Sequence, residues 1–409
     1  MRTLLRDSKM DRKNKKTVVE INSFNFGSTG NIMLSIAESA RERGYEVFTF
    51  NAHGNTQKRD IQGNYTIGNH MERQLCSKIN YFTGMEGALN YLGTLRFLSK
   101  LDEINPSIIH FHNLHSNYIN LKMLFRYIQK RSIKVIWTLH DCFAFTGHCP
   151  YFDIAQCEKW KKQCYDCPMI RKYPAKFRDT SAKEYIRKKR IFTSIQDMTI
   201  VTPSMWLANH VSNSFLSKYP IKVINNGIDL KMFCPRNSAF RKEYHLENKF
   251  IILGVAMSWG ERKGQDRFEW LAEKLDERFQ IVLVGISQAE IGTEEIICIK
   301  RTESQQQLAE IYTSADLFLN PTREDNFPTV NIESLACGTA VLSYGAGGSA
   351  EAFDENSGRI VSDENVLDVL NRLYEKNYDV AECVRRGRQF GQDSKWEEYI
   401  VLYDEVLKV

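Results

Sequence analysis

The stretch TVVEINSFNFGSTGNIMLSIAESARERGYEVFTF, residues 17–50, decides the fold class. Thr17–Asn22 (TVVEIN) is a short β-rich run. Asn25–Gly30 (NFGSTG) is a loop of small residues. From Asn31 to Arg43, Ile32, Leu34, Ile36, Ala37 and Ala40 fall at helical spacing, and Gly44 stands where a helix ends through a left-handed residue. Glu46–Phe50 reads as the next strand. A strand, a glycine loop, a helix and a second strand in this order open a doubly wound α/β domain.

The alternation continues outward from that unit. Strands are expected at Ser107–Phe111, Lys134–Leu139 and Thr199–Thr202, with helices at Asn120–Lys130 and Ser181–Ile195. A Cys- and Lys-rich insertion, 142–180, interrupts the pattern. A second α/β series is expected from Ile221, with strands Lys222–Ile224, Phe250–Val255, Gln280–Val284, Ile296–Ile299, Leu317–Asn320 and Ala340–Ser343. Its helices fall at Gln265–Glu277, Ser304–Thr313 and Thr329–Cys337. Lys395–Leu407 reads as an amphipathic aromatic helix. The expected division is a disordered basic arm (1–16), a first domain (17–212), a second domain (213–390) and a C-terminal helix (391–409) crossing back to the first. Two such domains facing each other leave a cleft at the C-terminal ends of their strands, where open α/β sheets bind ligands.

Hydrophobic residues make up 43% of the 409 and charged residues 26%, ordinary globular usage that excludes large-scale disorder, collagen and coiled coil. No apolar run approaches the ~18 residues a membrane helix needs. The basic, polar start shows no secretory signal, so a cytoplasmic chain with its ten cysteines reduced is expected. The net charge of +5 hides a division. Residues 1–210 carry 32 Lys and Arg against 18 Asp and Glu, a balance of +14, whereas the remainder carries 23 against 32, a balance of −9. A basic half suits an anionic partner, and an unevenly charged solvated surface fits equally well.

DNFPTVNIE, residues 325–333, places an acid in a loop and a second acid inside the first turns of a helix. Unpaired N–H groups at that helix start, from Thr329 and Val330, suit phosphate. The Glu333 carboxylate can accept two hydroxyls of a ribose, and Asp325 those of a sugar. An acidic loop and a helix surface pair fit the same residues. In WGERKG, 259–264, Arg262 and Lys263 can neutralise a pyrophosphate or form a solvated turn. His110, His112 and His115 make a weak metal signal, better read as lining or packing. Cys149, Cys157, Cys164 and Cys167 have the spacing C-x7-C-x6-C-x2-C. Four thiolates can close a structural zinc site, while redox pairing and plain buried thiols suit the spacing too. The helix Ser181–Ile195 alternates cations with Tyr185, Ile186, Ile191 and Phe192. It can lie on an anionic membrane or be an ordinary exposed helix.

In chain order, NFGSTGN, TLHD (138–141), TPSMWLA (202–208), INNGID (224–229), GVAMSWGERKG (254–264), ADLFLNPTREDNFPTVNIESLACGTAV (315–341) and GGSAE (347–351) resemble the retaining glycosyltransferase family 4 of GT-B fold. The segment HDCFAFTGHCPYFD is most similar to the bacterial branch that builds colanic acid, capsule and related exopolysaccharides. The resemblance implies two Rossmann-like domains and sugar transfer from a nucleotide sugar with retention. It places Glu333 at the donor ribose, Asp325 where the family usually has glutamate, and Lys263 on the phosphates. A family arginine before Lys263 is replaced by Met257 or Ser258, and Arg262 can supply that charge. Backbone groups of Asn326, Phe327, Pro328 and Thr329 would hold the donor sugar and phosphate, with Lys300 by the base. His140 would lie beside the transferred sugar, and Gly27 and Gly30 in the loop facing the donor phosphates. No catalytic cofactor is implied, since cations and helix N-termini would stabilise the leaving diphosphate. The expected partners are a nucleotide-sugar donor, a polyprenyl-pyrophosphate-linked glycan acceptor and, through the basic first domain, the inner face of the plasma membrane. A GT-B nucleotide-sugar epimerase and a zinc-containing nucleic-acid-binding protein are the competing readings.

Overall fold

The computed structural model describes residues 16–54 and 63–408. The expected basic arm lies outside them except for Lys16, which pairs with Asp404. The chain divides into two compact units.

Unit 1 takes in the chain up to Pro203, Leu207–Ile224 and the chain from Trp396. Its elements are β1 (Thr17–Phe24), α1 (Gly27–Glu42), β2 (Glu46–His53), β3 (Asn64–Thr66), α2 (His70–Thr83), α3 (Tyr91–Ile104), β4 (Ile108–Phe111), α4 (Leu121–Arg131), β5 (Lys134–Thr138), α5 (Ser181–Phe192), β6 (Met198–Thr202), most of α6 (Met205–Ser212) and β7 (Ile221–Val223). Among the described residues these strands form one parallel sheet in the order β3-β2-β1-β4-β5-β6-β7. Val18, Val19 and Ile21 of β1 are fully buried, as a central parallel strand covered on both faces requires. Helix α1 begins at Gly27, inside the expected loop, and ends through Gly44 at φ 87°. There the Tyr45 N–H donates to the Ala40 carbonyl at 3.0 Å, closing the helix end.

Unit 2 comprises Ser204–Trp206 and Asn225–Lys395. It contains α7 (Phe240–Glu243), β8 (Phe250–Val255), α8 (Gln265–Ala272), β9 (Phe279–Val284), β10 (Ile296–Ile299), α9 (Gln305–Ser314), β11 (Leu317–Asn320), α10 (Thr329–Ala336), β12 (Ala340–Ser343), β13 (Gly358–Ile360), α11 (Val366–Glu375) and α12 (Val380–Gly387). Its parallel sheet runs β10-β9-β8-β11-β12-β13 among the described residues. The last helix, α13 (Gln392–Lys408), begins in unit 2, and from Trp396 it belongs to unit 1. There Trp396, Tyr399 and Tyr403 join the core with Val18, Ile36 and Ile136.

One strand is placed differently from the sequence expectation. Residues 221–223 pair with β6 and complete the first sheet instead of opening the second series. A strand of three residues carries no local mark of the sheet it joins, and only its pairing partner decides it. Each sheet reverses its strand order once, between β1 and β4 in unit 1 and between β8 and β11 in unit 2. Loops leaving the C-terminal ends of strands at such a reversal are where open α/β sheets hold ligands.

Candidate active site

The β8 and β11 loops of unit 2, with helix α10 that follows, contain most of the expected donor-binding residues. After β8, Gly260 at φ 144° and Gly264 at φ 72° bracket a single turn that carries Arg262 and Lys263. A Cβ on Gly264 would lie 2.4 Å from the Pro321 carbonyl oxygen, so glycine lets the two loops approach. Backbone bonds then join them. The Arg323 N–H donates to the Arg262 carbonyl at 2.8 Å, and the Thr322 hydroxyl donates to the same oxygen at 3.1 Å. The Arg262 guanidinium donates to the Glu324 carbonyl at 3.2 Å, so it braces the loop. Lys263 Nζ reaches Asp325 Oδ2 at 2.6 Å.

Behind Asp325 lies the GGSAE segment. The Gly348 N–H donates to the Asp325 carbonyl at 3.2 Å, and a Cβ on Gly347 would sit 1.7 Å from that oxygen. Asn326, Phe327 and Pro328 are buried. Phe327 packs on Phe390 with ring centroids 5.6 Å apart, and its carbonyl accepts from the Asn226 amide at 3.1 Å. These three residues therefore set the path of the backbone into α10, where Thr329 and Val330 are half-buried. Pro328 caps that helix without a side-chain hydrogen bond. Glu333 lies inside α10, and its Oε2 accepts from the Tyr312 hydroxyl at 3.2 Å. Burial pushes the Glu333 carboxyl up to about 7, against the opposing bonds from Thr329 and Tyr312. Lys300 is exposed after β10, with Glu290 as a nearby opposite charge.

In unit 1, Gly27 (φ 71°) and Gly30 stand at the start of α1, at the β1 end. A Cβ on Gly30 would lie 2.7 Å from the Asn25 carbonyl carbon, so close backbone packing requires this glycine. His140 follows β5 and is half-buried. Its Nε2 lies 2.9 Å from His112 Nδ1, and the two rings stack at 5.2 Å. His112 Nε2 meets Glu20 Oε2 at 3.4 Å, and the Tyr403 hydroxyl donates to Glu20 Oε1 at 3.2 Å. Tyr403 also meets His110 Nδ1 at 2.7 Å, and His110 Nε2 meets the Thr138 hydroxyl at 2.8 Å. Thr138 continues the chain to Tyr399. A buried polar chain thus runs from α13 through β4 and β1 to His140. Burial holds His112 and His140 down to about 3 and pushes Glu20 up to about 8. Both histidines are therefore neutral across the physiological range.

Glu20, His110 and His112 have ligand-type atoms within 4.8 Å of one another, a grouping no other three such residues reach among the described residues. The carboxylate that the histidine pair lacks in local sequence thus comes from the neighbouring strand. Hydrogen bonds already occupy these atoms. His115 takes a separate partner. Burial disfavours its charge, but Asp141 at 3.1 Å outweighs this and raises it.

The insertion has little regular structure and is built on aromatic packing, with Phe145, Phe152 and Trp160 meeting at 5.1–6.4 Å. The Cys149 and Cys167 thiols are hydrogen-bonded, which raises Cys149 and lowers Cys167. Cys164 Sγ accepts from the Gly147 N–H at 3.2 Å, and burial pushes its thiol up to about 11. All ten cysteines are free thiols.

Helix α5 does not present the apolar face expected of a membrane helix. Tyr185, Ile191 and Phe192 are buried, and so is Lys188, whose ammonium donates to the Phe143 and Thr146 carbonyls at 2.8 and 3.1 Å. The apolar face packs into unit 1, so it cannot also face lipid. No helix among the described residues is long and apolar enough to cross a membrane.

Sequence reading passed over Tyr312, Tyr399 and Tyr403, which are ordinary aromatic positions locally. Glu20 carried a usable signal, a lone acid within the apolar strand TVVEIN.

Comparison with known proteins agrees with this geometry. Residues 29–232 match the model of Glycosyltransferase Family 4, and residues 236–390 match Glycosyl transferases group 1. The Escherichia coli protein WcaC, named as a colanic acid biosynthesis glycosyl transferase, is 24% identical over 74% of this chain and 77% of its own length. The N,N'-diacetylbacillosaminyl-diphospho-undecaprenol alpha-1,3-N-acetylgalactosaminyltransferase of Campylobacter jejuni is 26% identical over 49% of this chain and 58% of its own. Among solved structures, Anabaena HepE in complex with UDP-glucose superposes with a TM-score of 0.65 at 13% identity, over 96% of this chain and 99% of that one. Two parallel-sheet α/β domains, together with matches to both glycosyltransferase models along most of the chain, establish that this protein belongs to glycosyltransferase family 4 and is a glycosyltransferase of GT-B fold.

Proposed function

We propose that this enzyme moves a sugar from a nucleotide-sugar donor to a hydroxyl of a lipid-linked glycan, with retention at the anomeric carbon, in the building of a bacterial surface polysaccharide. The observation that carries the reading is the Lys263–Asp325 pair, set beside the start of α10 with Glu333 inside the helix. Lys263 would turn to the donor diphosphate, and the first N–H groups of α10 would add their partial positive charge. Ionised Glu333 would accept the two ribose hydroxyls. Asp325, freed from Lys263, would face the sugar. Charge developing on the leaving diphosphate would then meet donors already in place, so little reorganisation is needed. The neutral His140 would orient the transferred sugar.

Support for the partners comes from relatives. WcaC carries a colanic acid assignment, the Campylobacter jejuni relative is named for a diphospho-undecaprenol acceptor, and HepE holds UDP-glucose. A lipid-linked acceptor brings the enzyme to the inner face of the plasma membrane, and the basic balance of residues 1–210 suits such a surface. We also propose that a structural zinc draws together Cys149, Cys157, Cys164 and Cys167, although no three of their sulfurs lie within 4.8 Å of one another here. Its support is the spacing and the thiol–thiol bond between the first and last.

A thermal-shift panel of UDP-, GDP- and ADP-sugars tests donor binding, because a ligand of the native state raises Tm by mass action. A shift with one nucleotide series, lost in Lys263→Ala, is expected. Transfer undiminished in both Lys263→Ala and Glu333→Ala would overturn the site assignment.

A further inference from the structure

Helix α2 has its amphipathic faces inverted. Its buried side chains are Arg73, Cys76 and Asn80. Met71, Leu75, Ile79 and Phe82 are exposed, Met71 and Leu75 by 79% and 61%. They recur every three or four residues and form one stripe. Polar bonds hold the inner face, with the Arg73 guanidinium donating to the Ile67 and Gly68 carbonyls at 3.0 and 3.1 Å and the Asn80 amide donating to buried Glu86.

The stripe continues onto neighbouring elements. Phe82 meets exposed Phe177 with centroids 5.7 Å apart. At the other end, the Gly93 N–H of α3 donates to the Glu72 carboxylate of α2 at 3.0 Å, so the two helices begin side by side. Helix α3 adds Tyr91, Leu92 and Leu95, each more than half exposed. Apolar side chains scattered singly over a surface need no explanation, but a continuous patch marks an interaction surface.

Charge identifies the occupant. Between residues 70 and 96, the exposed charged side chains are Lys78 and Arg96. The two acids of that span are turned inward, Glu72 to Gly93 and Glu86 to Lys176 at 2.8 Å. Arg171, Lys172 and Arg178 are exposed around Phe177, against one exposed acid, Asp179. An apolar stripe with tyrosines and a basic rim matches the headgroup boundary of an anionic bilayer. A second copy of this face would bring like charges together.

We propose that the α2–α3 face of unit 1, centred on Leu75, Phe82 and Leu92, is the surface that seats this enzyme on an anionic membrane leaflet. This gives the membrane contact of the proposed function a location, and it rests on that reading for its purpose. Sedimentation of the full chain with phosphatidylcholine vesicles, with and without phosphatidylglycerol, tests it without donor or acceptor. The wild-type chain is expected to sediment with the phosphatidylglycerol vesicles and far less with phosphatidylcholine alone. Leu75→Glu combined with Phe82→Glu should abolish binding at unchanged Tm. Lys78→Glu combined with Arg96→Glu should weaken it at least about fivefold per residue. Ile186→Glu on α5 should leave it intact. Equal sedimentation of wild type and the Leu75→Glu, Phe82→Glu variant would overturn the proposal, as would no binding to phosphatidylglycerol vesicles. A wild-type dimer made monomeric by that double change, with vesicle binding intact, would assign the face to a second copy. Failure of the donor thermal shift would strike the transferase reading alone.

Discussion

Lys263 Nζ lies 2.6 Å from Asp325 Oδ2, joining two loops 62 residues apart in the chain. Each side chain keeps about a fifth of its surface exposed, so an anion can reach the pair. Partly exposed pairs contribute about 0–1 kcal/mol to stability. The pair therefore serves to place charge at the β11 loop more than to hold the fold. Lys263→Ala is expected to lower kcat/KM by about 10²–10³-fold, the usual cost of losing one preorganised charge donor. Its Tm should stay close to wild type. A large Tm loss with little kinetic effect would give the pair a structural role instead.

Asp325 stands where glutamate is usual in the family the sequence resembles. Asp325→Glu should keep transfer within about tenfold of wild type, while Asp325→Ala should lose about 10²-fold or more. Equal losses in both would show that carboxylate placement at this loop is more exacting than the family pattern implies.

Burial raises the Glu333 carboxyl to about 7, with bonds from Thr329 and Tyr312 opposing the rise. Only the ionised form offers both oxygens as acceptors, one to each ribose hydroxyl. Donor affinity should therefore strengthen as pH rises through about 7 and level off above it. Isothermal titration across that range checks this. Glu333→Gln should bind weakly with no such dependence. Tyr312→Phe removes an opposing bond and should move the midpoint upward.

Glu20 is raised to about 8 by burial, against opposing contributions from the Tyr403 hydroxyl and the Arg41 charge. Its ordinary value is 4.5, so between those values the folded chain holds a proton that the unfolded chain has released. Stability from this group therefore falls as pH rises from about 4.5 to about 8. Glu20→Gln keeps the shape and a donor toward His112 without the ionisation. Its Tm should decline less steeply over that range than that of the wild type. Parallel declines would show that Glu20 is ionised in the fold.

The cysteine proposal has a direct check. Metal analysis of the purified chain should find zinc, and Cys164→Ser should lose it, since a closed site needs all four thiolates. No zinc in either sample would leave Cys149 and Cys167 as a hydrogen-bonded thiol pair.

Much of the fold was legible because its signals are local. The strand–loop–helix–strand unit of residues 17–50 announces itself by apolar spacing and by Gly44, and the structure differs there mainly in starting α1 at Gly27. The loop before α10 was legible for the same reason, since a loop, a proline and a helix start lie within nine residues. Residues 64–104 were not read as elements, although Met71, Leu75, Ile79 and Phe82 recur at helical spacing along α2. The helix α5 pattern was legible, but whether its apolar face met lipid or protein was not, because periodicity finds a face without saying what covers it.

Sequence by itself determined two parallel α/β units and the residues of the β8 and β11 loops, because strand and helix periods and glycine turns are written within a few neighbours. Tertiary structure alone decided that Lys263 meets Asp325, and that Tyr403 reaches Glu20 across 383 positions to join the chain of bonds ending at His140. It alone decided that 221–223 closes the first sheet and that α2 turns its apolar stripe outward. The reason is that burial and pairing are properties of what packs against a residue, and distant segments supply those partners only after the chain folds.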